Sequence, residues 1–224
     1  MSGKLYVVAT PIGNLGDITL RALETLKAVD RVVAEDTRVT AKLLARYEIK
    51  KPMLSLRARS GRGVFEKVAD LVESGETLAY VTDAGTPGVS DPGSLLVSLV
   101  RARSGEEAVR AIPGASALAA AVSVAGVPTD EFTFIGFLPH KKGRQKALDQ
   151  VAAEKRLVVL YESPHRIKKL LTELVPRVGE RTVVIAHELT KLHEHTVVGT
   201  AAGLLARIGN DIPEKGEFVV MVTP

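Results

Sequence analysis

Short runs dense in apolar and β-branched residues alternate along this chain with stretches whose apolar positions recur at helical spacing. The N-terminal half reads KLYVVAT, ITLRALETLKAV, RVVAED, VTAKLLARYE, KPMLSL, FEKVADLVESG and TLAYVTD, which predicts β-α-β-α-β-α-β. Runs that are apolar at consecutive positions, such as Leu78 to Val81, suit strands buried on both faces. Helices between such strands cover a mostly parallel, doubly wound sheet. In that architecture ligands sit beyond the strand C-terminal ends. A helix SLLVSLVRARSG and a strand EAVRAI lead into PGASALAAAVSVAGVP, a small-residue helix that stops before Pro128. The alternation then resumes with TFIGFLP, a basic helix from Gly143 to Glu154, RLVVLYES, IKKLLTELV, TVVIAHEL, AAGLLARI and a closing strand EFVVMV. At 224 residues the pattern predicts two modest α/β domains, bridged by residues 113–130.

A second constraint lies behind the fourth expected strand. Residues 81–93, VTDAGTPGVSDPG, pack three glycines, two prolines and two aspartates directly after an apolar run. Glycines open φ > 0 and prolines fix φ, so this is predicted to be a rigid loop that presents backbone N–H and C=O groups. An ordinary strand-to-helix crossover would account for one such cluster. Here the arrangement recurs at the first strand, ATPIGNLGDIT (9–19), and at IPGASA (112–117), and three such loops in one sheet half point to a ligand. No G-x-G-x-x-G follows a strand and no G-x-x-x-x-G-K-[ST] occurs, which disfavours a phosphate cradle. The loops suit a ligand recognised along its edges by backbone groups, such as an adenosine carrying an amino-acid tail.

Composition narrows the chemistry. Cysteine is absent, so disulfides, thiolate nucleophiles and cysteine metal sites are excluded together. A formal net charge of +4 is compatible with a polyanionic partner without specifying one. The opening MSGKLYVVATP breaks its short apolar run at Pro11, too early for a signal h-region or a membrane span, and a cytoplasmic protein is expected.

The strings TPIGNLGDITLRALETL, AEDTR, VTDAGTPGVSDPG, IPGASA, FIGFLP, YESPHRI, ELTK and KGEFV together resemble the tetrapyrrole methylase-like superfamily, in its ribosomal-RNA-modifying branch, from Leu5 to Val222. The resemblance implies an α/β two-domain fold of the class III S-adenosylmethionine (SAM) methyltransferases, with a mostly parallel N-terminal sheet and a mixed C-terminal sheet. It implies domains at 1–114 and 115–224 with SAM in the cleft between them, and a homodimer. The implied reaction is 2'-O-methylation of a cytidine in the decoding region of 16S rRNA within the small ribosomal subunit. Carried over position by position, the cofactor residues are Pro11, Asp83, Ala84, Gly85, Thr86, Pro87, Val89, Ser116, Ala117 and Glu162. Thr86 stands where the tetrapyrrole enzymes carry Asp, which leaves Asp83 as the nearest acidic substitute.

Methyl transfer from a sulfonium expels a neutral thioether, so it needs alignment and exclusion of water rather than a metal. A ribose hydroxyl attacks better when a carboxylate or neutral imidazole takes its proton. The expected catalytic residues are Asp36 and Glu35 in AEDTR, followed by Glu162 in YESPHR and Lys191 in ELTK. Asp36 also suits a helix cap paired with Arg38. His187 replaces the arginine usual in A-R-E-L-T-K and is expected to be a buried strand-end histidine held by backbone. Basic clusters at Arg57, Arg59 and Arg62, at His140 to Lys146, and at His165 to Lys169 could follow phosphates. The expected RNA contacts are Arg38, Lys141, Lys142, Arg144 and Arg166. The Arg57 segment departs from the H-x-H-N-E string usual in that branch. Three rival readings remain at this level: a precorrin or uroporphyrinogen methylase, whose first loop would read G-x-G-P-G-D rather than ATPIGNLGD; a non-catalytic SAM-binding ribosome-associated protein; and a sugar-nucleotide or phosphate enzyme, which the missing phosphate loops disfavour.

Overall fold

The computed structural model describes residues 2–57, 59–91 and 93–224; Pro92 of the 81–93 loop and Ala58 of the RARSGRG turn lie outside the described residues. Two compact units divide between Ser116 and Ala117.

The N-terminal unit is a five-stranded sheet with helices on both faces. In chain order it runs β1 (Leu5–Val8), α1 (Leu20–Ala28), β2 (Arg31–Ala34), α2 (Thr37–Arg46), β3 (Met53–Ser55), α3 (Arg62–Glu73), β4 (Leu78–Val81), α4 (Gly93–Ser104) and β5 (Val109–Ile112). The strands lie in the order β3-β2-β4-β1-β5 and every pair is parallel. The period of two along each strand divides the core. Leu78 and Tyr80 pack with Phe65, Val68 and Val72 of α3 and Leu96 and Val100 of α4. Ala79 and Val81 pack on the opposite face with Ala22 and Leu26 of α1 and Leu44 of α2. β4 is therefore covered on both sides, which is why LAYV is apolar at four consecutive positions. Thr19 starts α1 by accepting a hydrogen bond from the Ala22 N–H at 3.1 Å.

The C-terminal unit contains α5 (Ala117–Val124), β6 (Phe132–Phe137), α6 (Arg144–Ala153), β7 (Leu157–Glu162), α7 (Ile167–Val178), β8 (Thr182–His187), β9 (His195–Thr200), α8 (Ala201–Arg207) and β10 (Phe218–Val222). Its sheet is mixed, in the order β6-β7-β10-β8-β9. β6 and β7 run parallel, whereas β10 pairs antiparallel with both β7 and β8, and β9 pairs antiparallel with β8. β9 was not expected from the sequence: HTVVGT holds two valines among polar residues and glycine, and Val198 stays 53% exposed on this edge strand. Its pairing with β8 comes from tertiary context rather than from its own pattern.

β6 carries a bulge. Its register against β7 shifts between Phe134 and Gly136, so Phe134 lies opposite Val159 and Phe137 opposite Tyr161. Phe134 and Phe137, three residues apart, thereby share a face, and both pack edge-on against Tyr161 at centroid distances of 4.9 and 5.6 Å. The bulge requires Gly136 at φ 68°, a left-handed backbone that glycine adopts without a Cβ penalty. Among the described residues, no helix is long and apolar enough to cross a membrane.

Candidate active site

The three glycine-rich loops of the N-terminal unit leave β4, β1 and β5, which are neighbours in the sheet, so they emerge side by side at its C-terminal edge. They are tied to one another. Thr10 and Gly85 exchange backbone hydrogen bonds of 2.9 and 3.1 Å as an isolated antiparallel bridge. The Thr10 hydroxyl donates to the Thr82 carbonyl at 3.2 Å, and the Thr86 hydroxyl donates to the Ala115 carbonyl at 3.0 Å. That last bond gives Thr86 a role an ionised aspartate could not fill, because a carboxylate has no proton to give a carbonyl. Asp91 closes the far end of the loop by accepting from the Gly88 and Gly93 N–H groups at 2.6 and 2.8 Å. Pro11, Gly85 and Pro87 are buried, Thr86, Val89, Ser116 and Ala117 are half-buried, and Asp83 and Ala84 face solvent.

Gly85 is the constrained point of this edge. Its φ is 81°, and a Cβ there would meet Ile12 Cγ2 at 3.3 Å and the Ala115 carbonyl at 3.8 Å. Because its N–H and C=O are both used by Thr10, Gly85 serves as the joint between loops. The expectation that these loops hold SAM is tested at Gly85: its replacement with Leu should strain the backbone and push Ile12 and the 112–117 loop apart, lowering affinity for SAM at least tenfold in calorimetry. Unaltered affinity in that variant would overturn that expectation.

A fourth loop joins the same edge. β2 pairs with β4, and the Asp36 N–H donates to Asp83 Oδ1 at 3.0 Å. The two adjacent carboxylates at this point have opposite environments. Asp36 is the N-cap of α2: its Oδ1 accepts from the Arg38 N–H at 2.9 Å, and its carboxylate is forked by the Arg38 guanidinium, with Nη2 to Oδ2 at 2.5 Å. Those side-chain and backbone bonds from Arg38 hold its pKa far below the usual aspartate range. Glu35 is half-buried, and desolvation, then the charges of Asp83 and Asp91, raise its pKa. A base needs a proton affinity that Asp36 has lost and Glu35 has gained, so of the expected pair Glu35 has the electrostatic setting of a base. Arg38, expected on RNA, is exposed but shares its guanidinium with Asp36.

In the C-terminal unit, Arg144, expected on RNA, and Glu162, expected in catalysis and at the cofactor, lie together in one buried cluster. Arg144 is 3% exposed, so it offers no surface to a phosphate. Its Nη2 lies 2.7 Å from Glu173 Oε2 and 3.9 Å from Glu162 Oε2, and its Nη1 donates to the Pro139 carbonyl at 3.2 Å. Glu162 is 2% exposed, and its Oε1 accepts from the Ser163 N–H and faces Arg166 Nε, each at 2.8 Å. Arg166, with little of its side chain exposed, also donates Nη1 to the Leu138 carbonyl at 3.0 Å. These four charges clamp the loop after β6 to the loop after β7. The remaining members of the two basic clusters, His140, Lys141, Lys142, Lys146, His165, Lys168 and Lys169, are exposed.

His187 is 1% exposed and is held as expected by backbone, its Nε2 2.6 Å from the Lys215 carbonyl. Nε2 is therefore the protonated nitrogen and Nδ1 faces His195 Nδ1 at 3.4 Å. Burial, foremost, lowers its pKa, so the ring is neutral near pH 7. Glu188 and Thr190, which follow β8, adopt φ of 51° and 67°. Lys191 donates to Glu188 Oε1 at 2.8 Å and to Glu217 Oε2 at 2.9 Å. Burial alone would lower its pKa, but the two carboxylates outweigh it and keep the ammonium charged. Among the described residues, no group of three or more His, Asp or Glu could hold a metal ion.

The family model for tetrapyrrole (corrin/porphyrin) methylases matches residues 4–205. Ribosomal RNA small subunit methyltransferase I of Xylella fastidiosa is 47% identical over 223 residues, covering 98% of this chain and 81% of that protein. The protein of the same name from Thermotoga maritima is 43% identical over 221 residues, covering 99% and 98%. Among solved structures, the methyltransferase CobJ superposes with a TM-score of 0.72 at 20% identity, covering 99% of this chain and 94% of that one. Uroporphyrin-III C-methyltransferase from Thermus thermophilus, complexed with S-adenosylhomocysteine, superposes with a TM-score of 0.64 at 17% identity, covering 98% and 97%.

Proposed function

We propose, since the chain belongs to the tetrapyrrole (corrin/porphyrin) methylases, that it is a SAM-dependent methyltransferase of small-subunit ribosomal RNA, and that it methylates the ribose 2'-oxygen of a cytidine in the decoding region of 16S rRNA. The observation that carries the RNA reading is the contrast in similarity. Near full-length identity of 43–47% falls on ribosomal RNA small subunit methyltransferase I, against 17–20% for the methyltransferase CobJ and uroporphyrin-III C-methyltransferase of the same fold. In this reading the enzyme acts in the cytoplasm on rRNA of the small ribosomal subunit and works as a homodimer.

SAM supplies an electrophilic methyl on its sulfonium. The groups that would hold it are the backbone and small side chains of Pro11, Ala84, Thr86, Val89 and Ser116. The interlocked loops fit such a ligand: they are rigid, and they carry neither the anion-binding sequence nor the excess positive charge a polyphosphate would require. Glu35 accepts the proton of the attacking hydroxyl, and its raised pKa suits it to that exchange. Asp83 orients the Glu35–Asp36 turn by accepting from the Asp36 N–H.

The product is expected to be a 2'-O-methyl ribose. A free 2'-hydroxyl attacks the adjacent phosphodiester in alkali, so a methyl cap leaves that one linkage intact, whereas base methylation leaves it labile. Incubation with methyl-labelled SAM and separate pools of rRNA, assembled small subunits and tetrapyrrole precursors, followed by alkaline digestion, should place the label in a dinucleotide from an RNA pool. Label only in mononucleotides would replace ribose with base methylation. Label only in the tetrapyrrole pool would assign the chain to the other branch of its family.

A further inference from the structure

Resting on the RNA reading above, we infer that Phe137 is a stacking platform for an unpaired base of the substrate, and that the loop it begins guides the flanking phosphates. Phe137 is the last residue of β6 and remains 52% exposed although its ring is packed edge-on against Tyr161. An aromatic group fixed on one side and open on the other presents a surface to a ligand at little further cost in side-chain order. Its direction is a consequence of the bulge. Strict alternation from Phe134 would turn Phe137 to the opposite face of the sheet, and the extra residue at Ile135–Gly136 returns it to the face of Tyr161. Bulges of this kind re-aim a side chain next to functional sites.

Charge identifies the occupant as a polyanion. The segments 137–143 and 163–166, FLPHKKG and SPHR, contain no carboxylate, and His140, Lys141, Lys142 and His165 are exposed. Glu162, which ends β7 between these two segments, is buried against Arg166 and Arg144. Further along the same sheet edge, Glu188 and Glu217 are both paired with Lys191. The buried clamp also fixes the two loops to each other through Arg166 to Leu138 and Arg144 to Pro139, so platform and cations keep a set spacing. An open π face beside phosphate-reaching cations is the arrangement by which single strands are held, since every base has a face to stack and sequence need not be read. A duplex keeps its bases stacked on one another and cannot use Phe137.

The chain has no tryptophan, which makes a direct test available. In this chain of 224 residues, Phe137→Trp places a single indole at the site. Its emission should be quenched by a single-stranded RNA oligonucleotide from the decoding region and not by the same sequence in a duplex. Phe137→Ala should weaken binding of that single strand about tenfold or more, with Phe137→Tyr retaining most of the affinity. SAM affinity and melting temperature should be unchanged in all three variants. Absence of quenching together with wild-type affinity in Phe137→Ala would overturn the inference, and methyl transfer to rRNA by the wild type would still stand. If Phe137→Ala instead shifts the sedimentation of the protein while RNA affinity holds, the face is a contact between copies of the chain and the inference fails. A wild type that binds and methylates no RNA would overturn the functional reading itself.

Discussion

Arg144→Glu is expected to lower the melting temperature of the protein by about 10 °C or more, whereas the same charge reversal at Lys141 or Lys142 should leave it nearly unchanged. The three residues stand within four positions of one another in HKKGR, yet only Arg144 is buried. Replacing its guanidinium with a carboxylate sets a third acid beside Glu162 and Glu173, and of the four clamp charges only Arg166, on Glu162 Oε1, remains positive. Breaking a buried pair by removing one partner costs about 3–5 kcal/mol, because the remaining charge has lost its solvation and gained nothing in return. Exposed Lys141 and Lys142 have no such dependence, and surface substitutions of that kind typically stay within about 0.5 kcal/mol. Thermal unfolding followed by circular dichroism separates the cases. A melt of Arg144→Glu that overlays the wild type would mean that the buried cluster does not hold the β6 and β7 loops, and Arg144 would return to the surface contacts.

Glu35→Gln is expected to reduce kcat by about 10²- to 10⁴-fold while leaving the protein folded. In the wild type, kcat/KM should fall with decreasing pH through a value above the ordinary glutamate 4.5, since desolvation and then Asp83 and Asp91 raise this carboxyl. The amide has no proton affinity in that range, and the acid limb should vanish with it. The stability sign runs opposite to the activity sign. A carboxyl whose folded pKa is raised contributes stability that is fully present below its unfolded pKa and lost as pH rises through the folded one. Gln at position 35 should therefore melt no lower than the wild type at neutral pH, which separates lost chemistry from lost structure. Asp36→Asn is the control: asparagine still caps α2, and because Asp36 is pinned by Arg38 the loss of activity should be much smaller. Equal activity in wild type and Glu35→Gln would exclude Glu35 as the base.

The layers of the N-terminal unit were legible because parallel strands covered on both faces leave an unmistakable trace, four buried apolar residues in a row in LAYV and three in RVVA. β9 left no such trace, since an edge strand needs only its backbone to pair and HTVVGT spends its side chains elsewhere. The ligand loops could be seen from their glycines and prolines, but the bonds that interlock them could not. Thr10 meets Thr82 across 72 positions and Thr86 meets Ala115 across 29, separations at which sequence spacing carries no information. The same limit hid Arg144. In a string of lysines and arginines nothing marks the residue whose partners, Glu162 and Glu173, lie on the next strand and helix. Glu35 and Asp36 were found as a pair, but the neighbours that drive their proton affinities apart come from Arg38 on one side and from the distant Asp83 and Asp91 on the other.

The interlocking of the loops around Thr10 and Gly85 has a thermodynamic corollary. Fixing a residue of a mobile loop costs about 1–2 kcal/mol in chain entropy, and a ligand that must organise its own site bears that cost at each encounter. Here the cost is met when the polypeptide folds, once, by hydrogen bonds that involve no ligand atom. Under the proposed function, cofactor exchange between turnovers then requires no collapse and rebuilding of these loops, and the spent product leaves the same frame that receives the next donor.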